Sequence, residues 1–562
     1  MGIRQGSGAP LLLALPPLVA VVFCFILPYG ASFLNAFRGE VTVWENDLIW
    51  RITGFTVRQA FFSVLVSLAI GLPGAWFIGA GGSRFTPLLR ALTAIPFAMP
   101  SILTVLGFVL FFGNAGWVNR IIFSFTGESP LRVLYRPAAI ILAHGFLNFP
   151  LVIRLAGDGL GRARKAYAPA AAALGASPFV TTFTVLLPLM FPAIMSAALL
   201  VFLYSFTSFA IVLVLGGGPA ATTLPVEIFR HARIFLNYPN AGALALTETI
   251  IAISIFLVYV LFSRKSREIK TDTQERILEI RDRSILPRII MIAYIVFAAI
   301  FVLGPIGSIV LESFLHHPSR SASQALTLRW WMALGANSLP AFLRSLVLAF
   351  SSATLACVLA FLGASSVKLF DDRGRGSSAW ANGVFANVVR FCAAAPIVSS
   401  GIVLGLGWLI LYGRTVTQFP FILVLIHALI AMPFAFNFIS EGFRSLPPNI
   451  LNAAMVSGAS PVKGLLTTVL PLSFRRVRSA WGFAAALSMG ELNAGIMLGV
   501  EGWETLPLYI YRAVAAYRFG NACAAGTLLI LGCAGGLILS EWGSEQRTGS
   551  KKKVAGKKNY NG

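Results

Sequence analysis

Charge is scarce in this chain, and acid is scarcest. Only 21 of 562 residues are Asp or Glu, against 44 Lys or Arg, and charged residues together make up 12%. A soluble domain carries about 25%, which excludes water as the solvent for most of the chain. Cysteine is almost absent. Cys24, Cys357, Cys392, Cys523 and Cys533 all fall inside apolar runs and none pairs at metal spacing, so they read as small buried hydrophobes, with no metal site among them. No phosphate-binding loop is present: "GDGLGR" at 157–162 has glycines but no following Lys-Ser/Thr, so the chain cannot hydrolyse ATP alone. No Ser/His/Asp or Cys/His set stands at a spacing that suggests catalysis. The net charge of +23 would suggest nucleic acid in a soluble protein. Here the basic residues come in short bursts between apolar runs, with no nucleic-acid motif, and the excess fits cytoplasmic loops and lipid headgroups instead.

What the chain has in abundance is apolar sequence, 57% hydrophobic with mean hydropathy +0.80. A spanning helix needs about 20 mostly apolar residues. Twelve windows qualify: 11–36, 59–80, 92–114, 137–156, 190–216, 241–263, 288–312, 341–364, 388–412, 418–440, 474–499 and 521–541. The expected fold class is an all-α, polytopic transmembrane helical bundle. The N-terminal apolar run is too long for a signal peptide and lacks a clear cleavage site, so it reads as the first spanning helix. Lys and Arg favour one set of loops roughly twofold, which places both termini and the linker on the cytoplasmic side. That linker, 264–287, is the one strongly charged stretch of length. The tail from 542 to 562 holds "KKKVAGKKNYNG" and reads as a basic cytoplasmic arm against anionic lipid.

The segments on either side of the linker match. Gly175 pairs with Gly458, Ser177-Pro178 with Ser460-Pro461, Leu187-Pro188 with Leu470-Pro471, His144 with His427 and Pro150 with Pro433, all 283 apart. "LPVEIFR" at 224–230 answers "LPLYIYR" at 506–512. The chain is read as a tandem duplication, with repeats at 1–263 and 288–541. Six helices per repeat keep both copies in the same orientation, a parallel repeat.

One phrase in each repeat has its own local physics: "YAPAAAALGASPFVTTFTVLLPL" at 167–189 and "LNAAMVSGASPVKGLLTTVLPL" at 451–472. The Ala-rich part favours helix. Gly175 and Gly458 can take positive φ and stop it. Ser177-Pro178 and Ser460-Pro461 suit an N-cap and first helical position. Leu-Pro is then expected to mark entry to the next membrane helix. The result is helix, sharp turn, helix at the cytoplasmic face.

The Ala-Ala, Gly and Leu-Pro spacing resembles the EAA loop of permeases from ABC importers. The resemblance covers nearly the whole chain, and among fused two-repeat permeases it is most similar to those of thiamine importers, on "LAHGFLNFPLVIRL" (142–155), "SFTSFAIVLVLGGGPAATTL" (205–224) and "ETLPLYIYRAVAAYR" (504–518). It implies a type I importer permease fold in the bacterial cytoplasmic (inner) membrane. It also implies ATPase-coupling residues at Ala170, Ala171, Leu174, Gly175, Ala176, Ser177 and Pro178, and at Ala453, Ala454, Gly458, Ala459, Ser460 and Pro461. The family's leading Glu is Pro169 in one repeat and Asn452 in the other, and Leu174 is answered by Ser457. The implied partners are two copies of a cytoplasmic ATP-binding subunit, an extracytoplasmic substrate-binding protein, membrane lipid and a small-molecule substrate, with no cofactor. Ferric iron permeases share the fusion and the loop and stand as the alternative substrate class. A secondary transporter driven by an ion gradient also fits twelve helices, but has no use for two docking loops.

Four further residues are candidates for the pathway. Glu491 shares a small-residue face with Ala484, Ser488 and Gly495, expected in the outer half of a continuous helix. A carboxylate there should not face lipid; it lines the pathway or serves as a structural, paired acid. Ser208 is its counterpart in the first repeat. His144 and His427 either line the pathway or pack with a satisfied ring N–H.

Overall fold

The computed structural model describes residues 8–541 except 39–40, 42, 45–46, 81–84, 98, 129–131, 217, 219–220, 268–284, 317–324, 373–378, 414 and 448. Most of the linker and the whole basic tail therefore lie outside the described residues. The chain is helical nearly throughout. Among the described residues the only strands are a two-residue pair, Leu315–His316 with Ala325–Leu326.

Eleven helices among the described residues are long and apolar enough to cross a membrane, against the twelve windows expected. The difference is 474–499. Its helix, Leu470–Gly490, carries Arg475, Arg476 and Arg478 in its first turns and stops at Gly490. Four windows expected to be continuous are broken part-way. Helices end at Phe97, Phe206 and Gly490 and restart at Ser101, Ala210 and Asn493. Within 388–412 a short 3-10 turn, Ala395–Val398, gives way to a new helix at Gly401, whose N-cap Ser400 accepts the Ile402 N–H.

Leu-Pro also behaves differently from expectation. It does not start the next helix. The Pro178–Phe206 helix begins earlier and runs through Leu187-Pro188 by way of a π-helical turn at Thr181–Leu186. The same π turn precedes Leu470-Pro471, at Leu465–Val469, and precedes Leu27-Pro28, at Val22–Ile26. The cause is steric: a proline inside a helix lacks a donor and its ring strikes the carbonyl four residues back, and a wider turn accommodates both.

The structure forms two compact units. One joins the N-terminal segment up to Leu34 to Leu334–Tyr509 and the segment from Leu528; the other comprises Asn35–Ala333 and Ile510–Thr527. Each has a three-helix centre of the same plan. In the second unit, Leu48–Ala80, Pro137–Ala173 and Leu187–Phe206 pack on Ala75, Ala156, Leu160, Ala163, Leu186 and Met190. Close approach is enforced at Gly71, where a Cβ would lie 2.6 Å from Val152 Cβ. In the first unit the centre is Leu334–Asp372, Phe421–Arg444 and Leu470–Gly490, on Ala353, Ala356, Ala428, Ala431, Ala484 and Ala485. Small residues let helix backbones approach where lipid offers no hydrophobic drive. One polar tie recurs as well: Thr56 Oγ1 accepts the Leu224 N–H at 3.1 Å, and Ser345 Oγ accepts the Leu506 N–H at 2.8 Å.

Candidate functional site: paired turns and broken helices

The two turns singled out in the sequence have matching geometry. The first helix ends at Ala173, Gly175 has φ +81°, and the N–H groups of Gly175 and Ala176 bond back to Ala172 O and Ala171 O. In the second, Gly458 has φ +91°, and Gly458 and Ala459 bond to Met455 O and Ala454 O. Both are Schellman motifs, in which a left-handed residue lets two otherwise orphaned carbonyls be satisfied. The next helix starts as expected. Ser177 Oγ accepts the Val180 N–H and Ser460 Oγ the Lys463 N–H, each at 3.3 Å, with Pro178 and Pro461 at the first helical position.

Ala170, Gly175, Ser177 and Pro178 are exposed, as are Ala453, Gly458 and Ser460; Ala171, Ala176, Ala454, Ala459 and Pro461 are half-buried. Leu174 is 88% exposed and Phe179 72% exposed. Phe179 packs against Phe183, with ring centroids 4.6 Å apart and planes tilted by 44°. These aromatics were not among the residues singled out from sequence; an apolar residue at the first exposed turn of the second helix was the available signal.

The Ala-rich segments differ in how they are reached. In the first repeat the segment is the end of one 37-residue helix, Pro137–Ala173. In the second the membrane helix stops at Arg444 and a separate helix, Ile450–Val456, follows. The reason is written in 445–449: "SLPPN" holds two prolines, where the first repeat has "RARKA". Proline ends helices and pushes the residue before it out of the α region. The separate helix folds back so that Gly464 faces Leu451, where a Cβ would meet Leu451 Cδ1 at 2.9 Å.

Glu491 is not in the middle of a helix. It follows the last residue of Leu470–Gly490 in extended backbone, and Asn493–Leu498 begins two residues later. Its Oε1 accepts the N–H of Asn493 at 2.8 Å and of Ala494 at 3.1 Å. The carboxylate caps the second half-helix, replacing donors that a membrane cannot satisfy. The same oxygen fills the side-chain space of Gly401, where a Cβ would lie 3.0 Å away. Two helix breaks of this unit therefore meet at one acid. Ser208 lies in the matching break, between Phe206 and Ala210, and is half-buried.

His144 and His427 are buried, 1% and 2% exposed. Nδ1 of His144 is 3.2 Å from Ser63 Oγ, and Nδ1 of His427 is 2.9 Å from Ser488 Oγ. Sequence spacing offered no route to these serines, which stand on other helices.

Residues 71–268 match the family described as binding-protein-dependent transport system inner membrane component. The chain is 30% identical over 526 residues to a thiamine transport system permease protein of Brucella abortus, covering 92% of each chain. The chain belongs to the permeases of binding-protein-dependent transport systems. A second relative, the thiamine transport system permease protein of Escherichia coli, is 27% identical over 91% of this permease and 92% of that protein. A third, the Escherichia coli spermidine/putrescine transport system permease protein PotB, is 27% identical over 256 residues, which are 92% of that protein but 44% of this permease. The permease is thus a multi-pass inner-membrane subunit of an ABC importer, working with ATP-binding and substrate-binding partners.

Proposed function

We propose that this permease passes thiamine, or its phosphates, from an extracytoplasmic binding protein to the cytoplasm. The observation that carries the reading is the length of the match: it runs through both repeats to proteins named for thiamine transport. The chemistry of the broken-helix centre supports it. Thiamine carries a fixed positive charge. Glu491 uses Oε1 for the two backbone donors, which leaves Oε2 to lower the barrier for a passing cation. Ser208 provides a neutral counterpart in the other repeat.

Energy enters through the turns at 174–178 and 457–461, each docked to one copy of a separate ATP-hydrolysing subunit, two copies in all. Both termini and the linker face the cytoplasm. The repeats at 1–263 and 288–541 act as the two halves of the pathway, and the basic tail holds the inner leaflet.

The test is uptake of labelled thiamine by vesicles holding the permease, its ATPase and its binding protein. ATP-dependent uptake competed by thiamine phosphates is the expected result. Uptake competed by ferric iron or spermidine but not by excess thiamine overturns the substrate. Uptake that survives without ATPase subunits and follows an ion gradient overturns the coupling.

A further inference from the structure

His144 and His427 stand 283 residues apart and each bonds through Nδ1 to a serine on a neighbouring helix. With the serine hydroxyls donating to the carbonyls of their own helices, one consistent proton count runs through both repeats. Ser63 Oγ donates its one proton to Gln59 O at 2.7 Å, so it can only accept from His144, and Nδ1 of His144 carries the hydrogen. In the other repeat Ser352 Oγ donates to Leu348 O. Ser488 Oγ, 2.7 Å from Ser352 Oγ, must then donate to it, and so accepts from His427 Nδ1. Two different networks give the same answer. Ser63 and Ser352 are also equivalent positions: they are 289 apart, as are Thr56 and Ser345, which make the recurring backbone tie.

Each ring is left with Nε2 as a bare acceptor. Both Nε2 atoms are buried and have no hydrogen-bond partner among the described residues. A buried acceptor without a donor is disfavoured, and native proteins hold few of them. Phenylalanine would fill nearly the same space without that cost. The chain instead places the same unsatisfied atom at the same point of both repeats, where the Pro137–Ala173 helix meets Leu48–Ala80 and where Phe421–Arg444 meets Leu470–Gly490 and Leu334–Asp372.

We infer that His144 and His427 are a matched pair of positioning residues for the transport cycle: Nδ1–H ties the helices in this arrangement, and Nε2 receives a donor that the same helices bring up in the alternate arrangement. The inference rests on the reading of the chain as an ATP-driven importer, because it requires two arrangements visited in turn.

The test separates the two nitrogens. Asparagine can place an N–H near the Nδ1 position but does not reach Nε2; glutamine reaches Nε2. The double variants H144N/H427N, H144Q/H427Q and H144F/H427F are assembled with the ATPase subunits in lipid nanodiscs, and basal ATP turnover is measured. The Asn pair is expected to accumulate and assemble normally but to turn over at least tenfold slower, with the Gln pair recovering a third or more of wild-type turnover. Wild-type turnover by the Asn or the Phe pair overturns the inference. So does equal impairment of the Asn and Gln pairs. Failure of all three to accumulate reduces the histidines to packing and also overturns it; a water held by Nε2 throughout the cycle would show as Gln no better than Asn. Basal turnover needs no substrate, so a wild-type complex that cycles but does not carry thiamine sinks the substrate reading and leaves this one standing.

Discussion

The first repeat delivers its turn on the end of a single helix of 37 residues, about 56 Å long at 1.5 Å per residue. The second interrupts the corresponding path at Arg444 and restarts at Ile450. Beyond the break the two turns are nearly superimposable in hydrogen bonding, with Gly175 at φ +81° and Gly458 at φ +91°. Their exposed side chains differ again: Leu174, Phe179 and Phe183 on one side, Ser457, Val462 and Leu466 on the other. The two turns thus share a backbone shape, while both the connection and the surface differ. On the proposed coupling role, this shared shape is what would let the same kind of subunit hold both turns. On the same reading, the two connections would pass movement on differently. The first turn is reached on unbroken helix and the second across an interruption between Arg444 and Ile450.

The largest effect is expected where the repeats agree. Val at Gly175 or at Gly458 would have to hold left-handed backbone with a β-branched side chain, which L-residues disfavour by roughly 1–2 kcal/mol and β-branched ones by more. ATP-linked transport should fall tenfold or more in each variant while membrane insertion survives. Normal transport by both would remove the turn from the coupling mechanism.

A smaller and unequal effect is expected where the surfaces differ. Burying a phenylalanine contributes about 1.5–3 kcal/mol and a valine toward the lower end of that range. Phe179 is 72% exposed and Val462 38% exposed, so docking has more apolar area to gain at the first turn. Phe179→Ala should weaken binding of the isolated ATPase subunit to the permease roughly tenfold, and Val462→Ala two- to threefold. Equal losses would mean that side-chain area at this position does not set affinity. Smaller still is the effect of the break between Arg444 and Ile450. Pro447→Ala relaxes one of the two prolines that part the second approach, and should change the ratio of transport to ATP hydrolysis by no more than about twofold, since the neighbouring proline still disfavours helix.

Much of this was legible in the chain. Helical class and the positive φ at both glycines followed from hydropathy and the Gly-x-Ser-Pro punctuation, because these are local properties. The breaks were not. They fall on short polar interruptions, Thr207-Ser208 and Glu491 to Asn493, inside windows whose average hydropathy still suits a span, and a window average reports whether a segment suits lipid, not whether its backbone stays helical. The π turns before Leu187-Pro188 and Leu470-Pro471 were missed for a related reason: Leu-Pro was read as a beginning, whereas a widened turn lets a helix continue through proline. The serines that hold His144 and His427 come from other helices, and no spacing within one segment points to them.

The smallest expected effect on the fold, and the sharpest test of asymmetry, is at Glu491. Its repeat partner Ser208 is neutral, so the acid belongs to one side only. Glu491→Gln keeps the length of the side chain and an oxygen that can accept from Asn493 and Ala494. What it loses is the charge behind those two hydrogen bonds. Hydrogen bonds to charged groups contribute about 1.5–3 kcal/mol against 0.5–1.5 for neutral ones, so the cap should weaken by about 1 kcal/mol per bond, about 2 kcal/mol in all, and the helix break should persist. Accumulation and assembly with the ATPase should match wild type. Uptake of a cationic substrate should still drop severalfold if the carboxylate eases its passage, and moving the acid to the other repeat, Ser208→Glu with Glu491→Gln, should restore part of it. A Gln variant with wild-type uptake at every substrate concentration would confine Glu491 to capping. One whose basal ATP turnover falls in step with uptake would place the fault in the helix break instead of in the charge.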